Sequence, residues 1–127
     1  MAFPVTIISQ ESIRDHVRIG DIVPIVEQCL ADFEKGEDIL PDKLIFQVPG
    51  GIGACMAALQ RSTGTLIMKN GQGREDNPGR GLPNILQQTM VYDAETGVLQ
   101  AIMDGALITG LRTGASAALA ARVLARP

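Results

Sequence analysis

Aromatic residues are scarce: Phe, Tyr and Trp make up 3% of the chain, and Trp is absent. The core must therefore be aliphatic, and the hydrophobic share of 46% is enough for one. No basic block occurs and no aromatic–basic interleaving, which excludes a nucleic-acid surface of the usual kind. The balance is mildly acidic, with a formal charge of -3 and a pI of about 5.0. No run reaches the roughly 18 apolar residues that a membrane helix needs. There is no basic segment followed by an apolar one at the N-terminus, so no secretory leader and a cytoplasmic location are expected. Histidine occurs once and cysteine twice, at Cys29 and Cys55, which excludes a zinc site. Both cysteines sit in apolar surroundings and read as buried free thiols.

What is present reads as a single domain, residues 1–127. Val5–Ser9 predicts a short strand, and Ser9 an N-cap for a short helix ending near His16. Ile22, Ile25, Val26, Cys29, Leu30 and Phe33 recur at helical spacing. They predict a helix from Ile22 to about Lys35 with one apolar face. Asp21 would cap it, Pro24 would lie in its first turn and Gly36 would end it. Strands follow at Lys43–Val48, Gly53–Leu59 and Thr65–Lys69, joined by short turns, as in an antiparallel meander. Asn70–Gly81, with four glycines, reads as a polar loop: either a mobile surface segment or a ligand-contact lid. Ile85–Tyr92 and Val98–Asp104 form a hairpin over Asp93–Gly97, and a small-residue helix runs from about Leu111 to Ala125. The expected fold class is α+β, a mostly antiparallel sheet of about six strands with helices packed on it.

Three cations, Lys43, Lys69 and Arg112, stand at the ends of these elements without acids beside them in sequence. Lys69 follows the apolar run Leu66-Ile67-Met68, so its stem can be buried while its ammonium meets a ligand. Arg112 lies among Gly, Ala, Ser and Thr, where a carboxylate or phosphate can approach its fork of donors. The alternatives are a solvated strand-end charge for each lysine and, for Arg112, a cap or an ion pair with Asp104.

Asp104-Gly105, Leu111-Arg112-Thr113 and the Ala-rich helix after them resemble the ornithine cyclodeaminase/mu-crystallin family. Lys69, Asn77-Pro78, Gly81-Leu82-Pro83 and Tyr92-Asp93-Ala94-Glu95-Thr96-Gly97 extend the resemblance upstream in order. It implies an N-terminal substrate-binding and dimerisation domain, with the nucleotide-binding domain expected to begin near Pro127, where the chain stops. It further implies that Lys69 and Arg112 grip an amino-acid carboxylate. Lys43 stands where the family usually has arginine, and so lacks the bidentate fork. Asn84 replaces a usual threonine near the nicotinamide nucleotide, and Arg112 and Thr113 would face the cofactor. Met56 lies in the strand whose methionine lines the family's pocket, and core packing is the expected role here. NAD is the family's cofactor; none is expected on this chain alone, since no dinucleotide fingerprint is present. The expected function is a stand-alone module that binds a small anionic, amino-acid-like ligand or assembles as a homodimer or larger oligomer. The alternative is a fragment or subunit of an NAD-dependent ornithine cyclodeaminase or amino-acid dehydrogenase, active only with a partner domain.

Overall fold

The computed structural model describes residues 3–126; Pro127, taken above as the end of the domain, lies outside them. Six strands form one sheet: β1 (Thr6–Ile8), β2 (Leu44–Val48), β3 (Gly51–Gln60), β4 (Thr65–Arg74), β5 (Ile85–Asp93) and β6 (Leu99–Asp104). Their order is β1-β6-β5-β4-β3-β2. The last five make the antiparallel meander, and β1 joins the edge of β6 in parallel. The helices are α1 (Gln10–His16), α2 (Ile19–Glu34) and α3 (Gly105–Leu124). As expected, the Ser9 hydroxyl caps α1, accepting from the Ser12 amide at 3.1 Å. The β5–β6 hairpin closes through Asp93, whose Oδ1 accepts the Thr96 amide at 2.7 Å, and Gly97 supplies the positive φ of 73°. Gly36, at φ 74°, ends α2.

Five sequence expectations need correction. Helix α2 begins at Ile19, so Asp21 lies inside its first turn, the N-cap Arg18 makes no side-chain bond, and Pro24 is within the helix. The expected apolar face is not buried as a whole: Ile22 is, while Ile25, Leu30 and Phe33 are exposed. Strand β4 continues to Arg74 through residues expected in a loop, because β3 and β5 satisfy its backbone on both sides. What remains of that loop is a short 3₁₀ turn, Pro78–Arg80, pinned by buried Asn77, whose Nδ2 donates to the Pro83 carbonyl at 2.8 Å. Helix α3 starts at Gly105, six residues early, because the Asp104 carboxylate accepts the Ala106 and Leu107 amides at 3.0 and 3.4 Å. Both cysteines are free as expected, but half-buried rather than buried.

Register fixes the two faces of the sheet, since residues directly opposite one another point the same way. Lys69 is opposite Met56 and Thr89, and Gln87 opposite Gly71; this face carries α3. The other face presents Leu44, Phe46, Met68 and Leu86, all exposed, and no helix covers it among the described residues. The chain exposes 8801 Å², against roughly 6,500 Å² expected of a folded monomer of its 13.5 kDa mass. Among the described residues no helix is long and apolar enough to cross a membrane.

Candidate functional site

The helix-bearing face holds the chemistry. Lys69 leaves β4 half-buried, its stem against the sheet, and its Nζ donates to Thr109 Oγ1 on α3 at 3.0 Å. The Thr109 hydroxyl in turn donates to Gln87 Oε1 on β5 at 2.7 Å. Arg112 stands three residues beyond Thr109, nearly one turn along the same helix. Burial and then the nearby Arg112 guanidinium hold the Lys69 ammonium below the ordinary lysine value of 10.5. Two like charges are therefore brought together, and among the described residues neither takes part in an ion pair with an acid. Asp104, the sequence alternative as partner of Arg112, is committed to capping α3.

Beside Lys69 lies a pocket of about 170 Å³, walled by Ile52, Ala54, Met56, Gly71, Gln72, Gly73, Ile85 and Gln87. Met56 is thus a wall of this pocket rather than core, and it is more than a third exposed. Lys43 is exposed and precedes β2 by one residue. Continuing the register from Leu44 and Cys55 sets it opposite Met56, two strands from Lys69, or about 10 Å away. It occupies the right row without joining the Lys69–Thr109–Gln87 chain.

Asn84 lies elsewhere. It borders a larger cleft of about 670 Å³ at the end of the sheet, together with Gln47, Arg74 and Glu75, and its carbonyl accepts the Arg74 amide at 2.9 Å. That cleft is the more spacious, but it mixes an acid with its one arginine, whereas Lys69 is the one charged residue that lines the smaller pocket. Thr113 is exposed, and its hydroxyl donates back to the Thr109 carbonyl at 2.7 Å. Among the described residues no cluster of His, Cys, Asp and Glu could hold a metal.

Sequence reasoning missed Gln87 and Thr109. The signal for Thr109 was its spacing from Arg112, legible only once α3 is extended to Gly105. Gln87 gave none.

A dinucleotide tests the site further. Pyrophosphate is ordinarily held at a helix N-terminus, where free amides and the helix dipole meet it. In α3 that position is filled by the Asp104 carboxylate, which repels an anion. Arg112 and Thr113 offer a guanidinium and a hydroxyl to the edge of such a cofactor; the described residues do not fit a complete NAD site.

Known proteins share this architecture. The archaeal alanine dehydrogenase dimer with bound NAD superposes with a TM-score of 0.91 at 29% identity, covering 96% of this chain and 38% of its own. Thermococcus litoralis Delta(1)-pyrroline-2-carboxylate reductase, solved with NADH and L-proline, also gives 0.91, at 26% identity over 96% of this chain and 38% of its own. Among curated proteins, the alanine dehydrogenase of Archaeoglobus fulgidus is 30% identical over 121 residues, 94% of this chain and 37% of its own. The Delta(1)-pyrroline-2-carboxylate/Delta(1)-piperideine-2-carboxylate reductase of Azospirillum brasilense is 37% identical over 98 residues, 76% of this chain and 31% of its own. The chain thus spans about a third of the length of these relatives. The profile of the ornithine cyclodeaminase/mu-crystallin family matches residues 5–127, and the chain belongs to that family.

Proposed function

We propose that this chain forms the carboxylate-binding face of an amino- or imino-acid site, with Lys69 and Arg112 as the groups that hold the carboxylate. The observation that carries this reading is the pair itself: two neighbouring cations, of which Lys69 lines a small pocket, with no acid paired to either among the described residues. Such a pair stays mutually repelled until an anion enters. Thr109 fixes the Lys69 ammonium from one side, leaving its other donors for a ligand. Lys43, in the same row, adds a more distant positive charge. The relatives' names, a dehydrogenase and two reductases of amino- or imino-acid carboxylates, agree with this chemistry.

Oxidising or reducing such a ligand needs a hydride carrier, and NAD(H) supplies that chemistry when bound. Because the α3 N-terminus is closed by Asp104, residues outside this face must hold it. Turnover is therefore expected only when a nucleotide-binding domain completes the site, on the same or another chain.

The test is binding by the purified 127-residue chain, followed by calorimetry or ligand-observed NMR with pyruvate and L-proline. Saturable binding that is lost in Lys69→Ala and in Arg112→Ala, each checked for retained fold by circular dichroism, is the expected result. Unchanged binding in both variants would reject these residues as the carboxylate grip.

A second reading is compatible with the first: the chain is also an assembly module. The exposed area beyond that of an ordinary monomer and the open apolar sheet face favour it. A second copy laid on that face would form a two-fold dimer.

A further inference from the structure

The amide of Gln87 has a fixed orientation. Its Oε1 accepts the Thr109 hydroxyl at 2.7 Å, while Thr109 Oγ1 accepts from Lys69 Nζ at 3.0 Å. A hydroxyl has one hydrogen, and since the Lys69 ammonium is donor-only, that hydrogen belongs to Gln87. The oxygen of Gln87 is therefore engaged by Thr109, and its Nε2, with two N–H donors, makes no hydrogen bond among the described residues. The side chain lies over Gly71, where an added Cβ would stand 3.7 Å from Gln87 Cγ, and it forms part of the pocket wall.

The pocket is thus a donor site. Lys69 and the Gln87 amide bring N–H groups to it, Ile52, Ala54, Met56 and Ile85 are apolar, and no Asp or Glu lines it. By register the Gln72 side chain belongs to the opposite face of the sheet, so its Oε1 adds no acceptor to this pocket. A volume of about 170 Å³ leaves room for a small acid.

We propose that Gln87 is a specificity-determining residue whose amide N–H selects small 2-oxo or imino monocarboxylates and rejects diamino acids. The inference rests on the reading of Lys69 and Arg112 as the carboxylate grip. A ligand carbonyl or carboxylate oxygen satisfies Gln87 Nε2. The side-chain ammonium of a diamino acid would face donors and a neighbouring lysine, with no carboxylate to receive it.

The experiment compares pyruvate and 2-oxobutyrate with L-ornithine and L-lysine on the purified chain by calorimetry, first with the wild type. The oxo acids are expected to bind at least about tenfold more tightly, the range a mismatched polar group commonly imposes. Gln87→Glu keeps the size and the Thr109 bond but turns the free donor into an acceptor, so the preference should invert. Gln87→Met should weaken the oxo acids without admitting ornithine. Wild-type chain that binds ornithine as tightly as pyruvate, or a Gln87→Glu ratio equal to the wild type's, would overturn the role of Gln87 while leaving Lys69 and Arg112 in place. Failure of every carboxylate to bind the wild type would overturn the carboxylate grip and this inference with it.

Discussion

Gly105 at the start of α3 rests directly on Gln87 of β5: a Cβ at Gly105 would stand 2.8 Å from the Gln87 Cβ and 3.1 Å from its carbonyl carbon. This closeness sets the helix at the height where Thr109 can reach both Gln87 and Lys69. In an exposed helix, Gly→Ala gains about 0.5–1 kcal/mol from lowered backbone entropy. Here the methyl meets backbone and Cβ atoms that cannot swing aside, and overpacking of that kind costs about 1–3 kcal/mol. The clash wins, so Gly105→Ala should destabilise the chain, as read by urea denaturation. It should also weaken carboxylate binding, since a displaced α3 carries Thr109 and Arg112 away from Lys69. A stabilised Gly105→Ala variant would mean that the helix is not seated as described.

The same contact explains what could be read from the sequence. Short apolar runs in β2, β5 and β6 and the turn residues between strands gave the meander, because those signals are local. The start of α3 was hidden by Gly105 and Gly110, which count against a helix unless the close approach to Gln87 is known. Asp104, by contrast, carried a visible capping signal. The second half of β4 was hidden by Gly71, Gln72 and Gly73, whose strand conformation is imposed by ladders on both sides. For the site, Lys69 and Arg112 were legible as cations among apolar or small residues. Their approach to one another and the roles of Thr109 and Gln87 were not, since these depend on which strands become neighbours. Lys43 was legible as a cation at a strand end, and Asn84 came from the resemblance; register puts Lys43 two strands away and Asn84 in a different cleft.

Lys69 gives the protein two pH dependences of opposite sign. Burial and Arg112 lower its pKa in the folded chain below 10.5. Between the folded value and 10.5 the unfolded state binds more protons, so stability should rise with pH through that window and fall as pH drops through the folded pKa. Ligand binding runs the other way. A carboxylate favours charged Lys69, so affinity should decline as pH climbs through the lowered pKa of the free protein. Subtracting the Lys69→Met profile from the wild type's isolates this residue from other titrating groups. Urea midpoints and calorimetric affinities that move in the same direction with pH would contradict the arrangement.

Cys29 should be a slow thiol. Burial, then Asp38 and Asp32, push its pKa above 9.0, and Gln60 Nε2, donating to its sulfur at 3.3 Å, offsets this in part. The thiolate is the reactive form, so alkylation by iodoacetamide at pH 8 should be slower than for a free cysteine. Asp38→Asn removes the second of these causes yet keeps an oxygen to accept the Arg61 amide, now bound at 3.1 Å. Cys29 labelling, followed by peptide mass spectrometry, should speed up several-fold in that variant. An unchanged rate would show that the carboxylate does not act on the thiol.

Met68 separates a free sheet face from a paired one. It lies opposite Ala57 and Met90 on the face without helices, and it is 43% exposed. If solvent covered that face, Met68→Asp would be an ordinary surface substitution, within about 0.5 kcal/mol of neutral. If a second copy covers it, the change buries a carboxylate on each side of an apolar contact, at a cost of several kcal/mol. Light scattering should then find the wild type at twice the 13.5 kDa chain mass, and Met68→Asp at the chain mass with its fold retained. Val123→Asp, on the exposed side of α3 away from this face, is the control and should leave the dimer intact. A monomeric wild type would reject pairing through the sheet, and the exposed area would then call for a different partner.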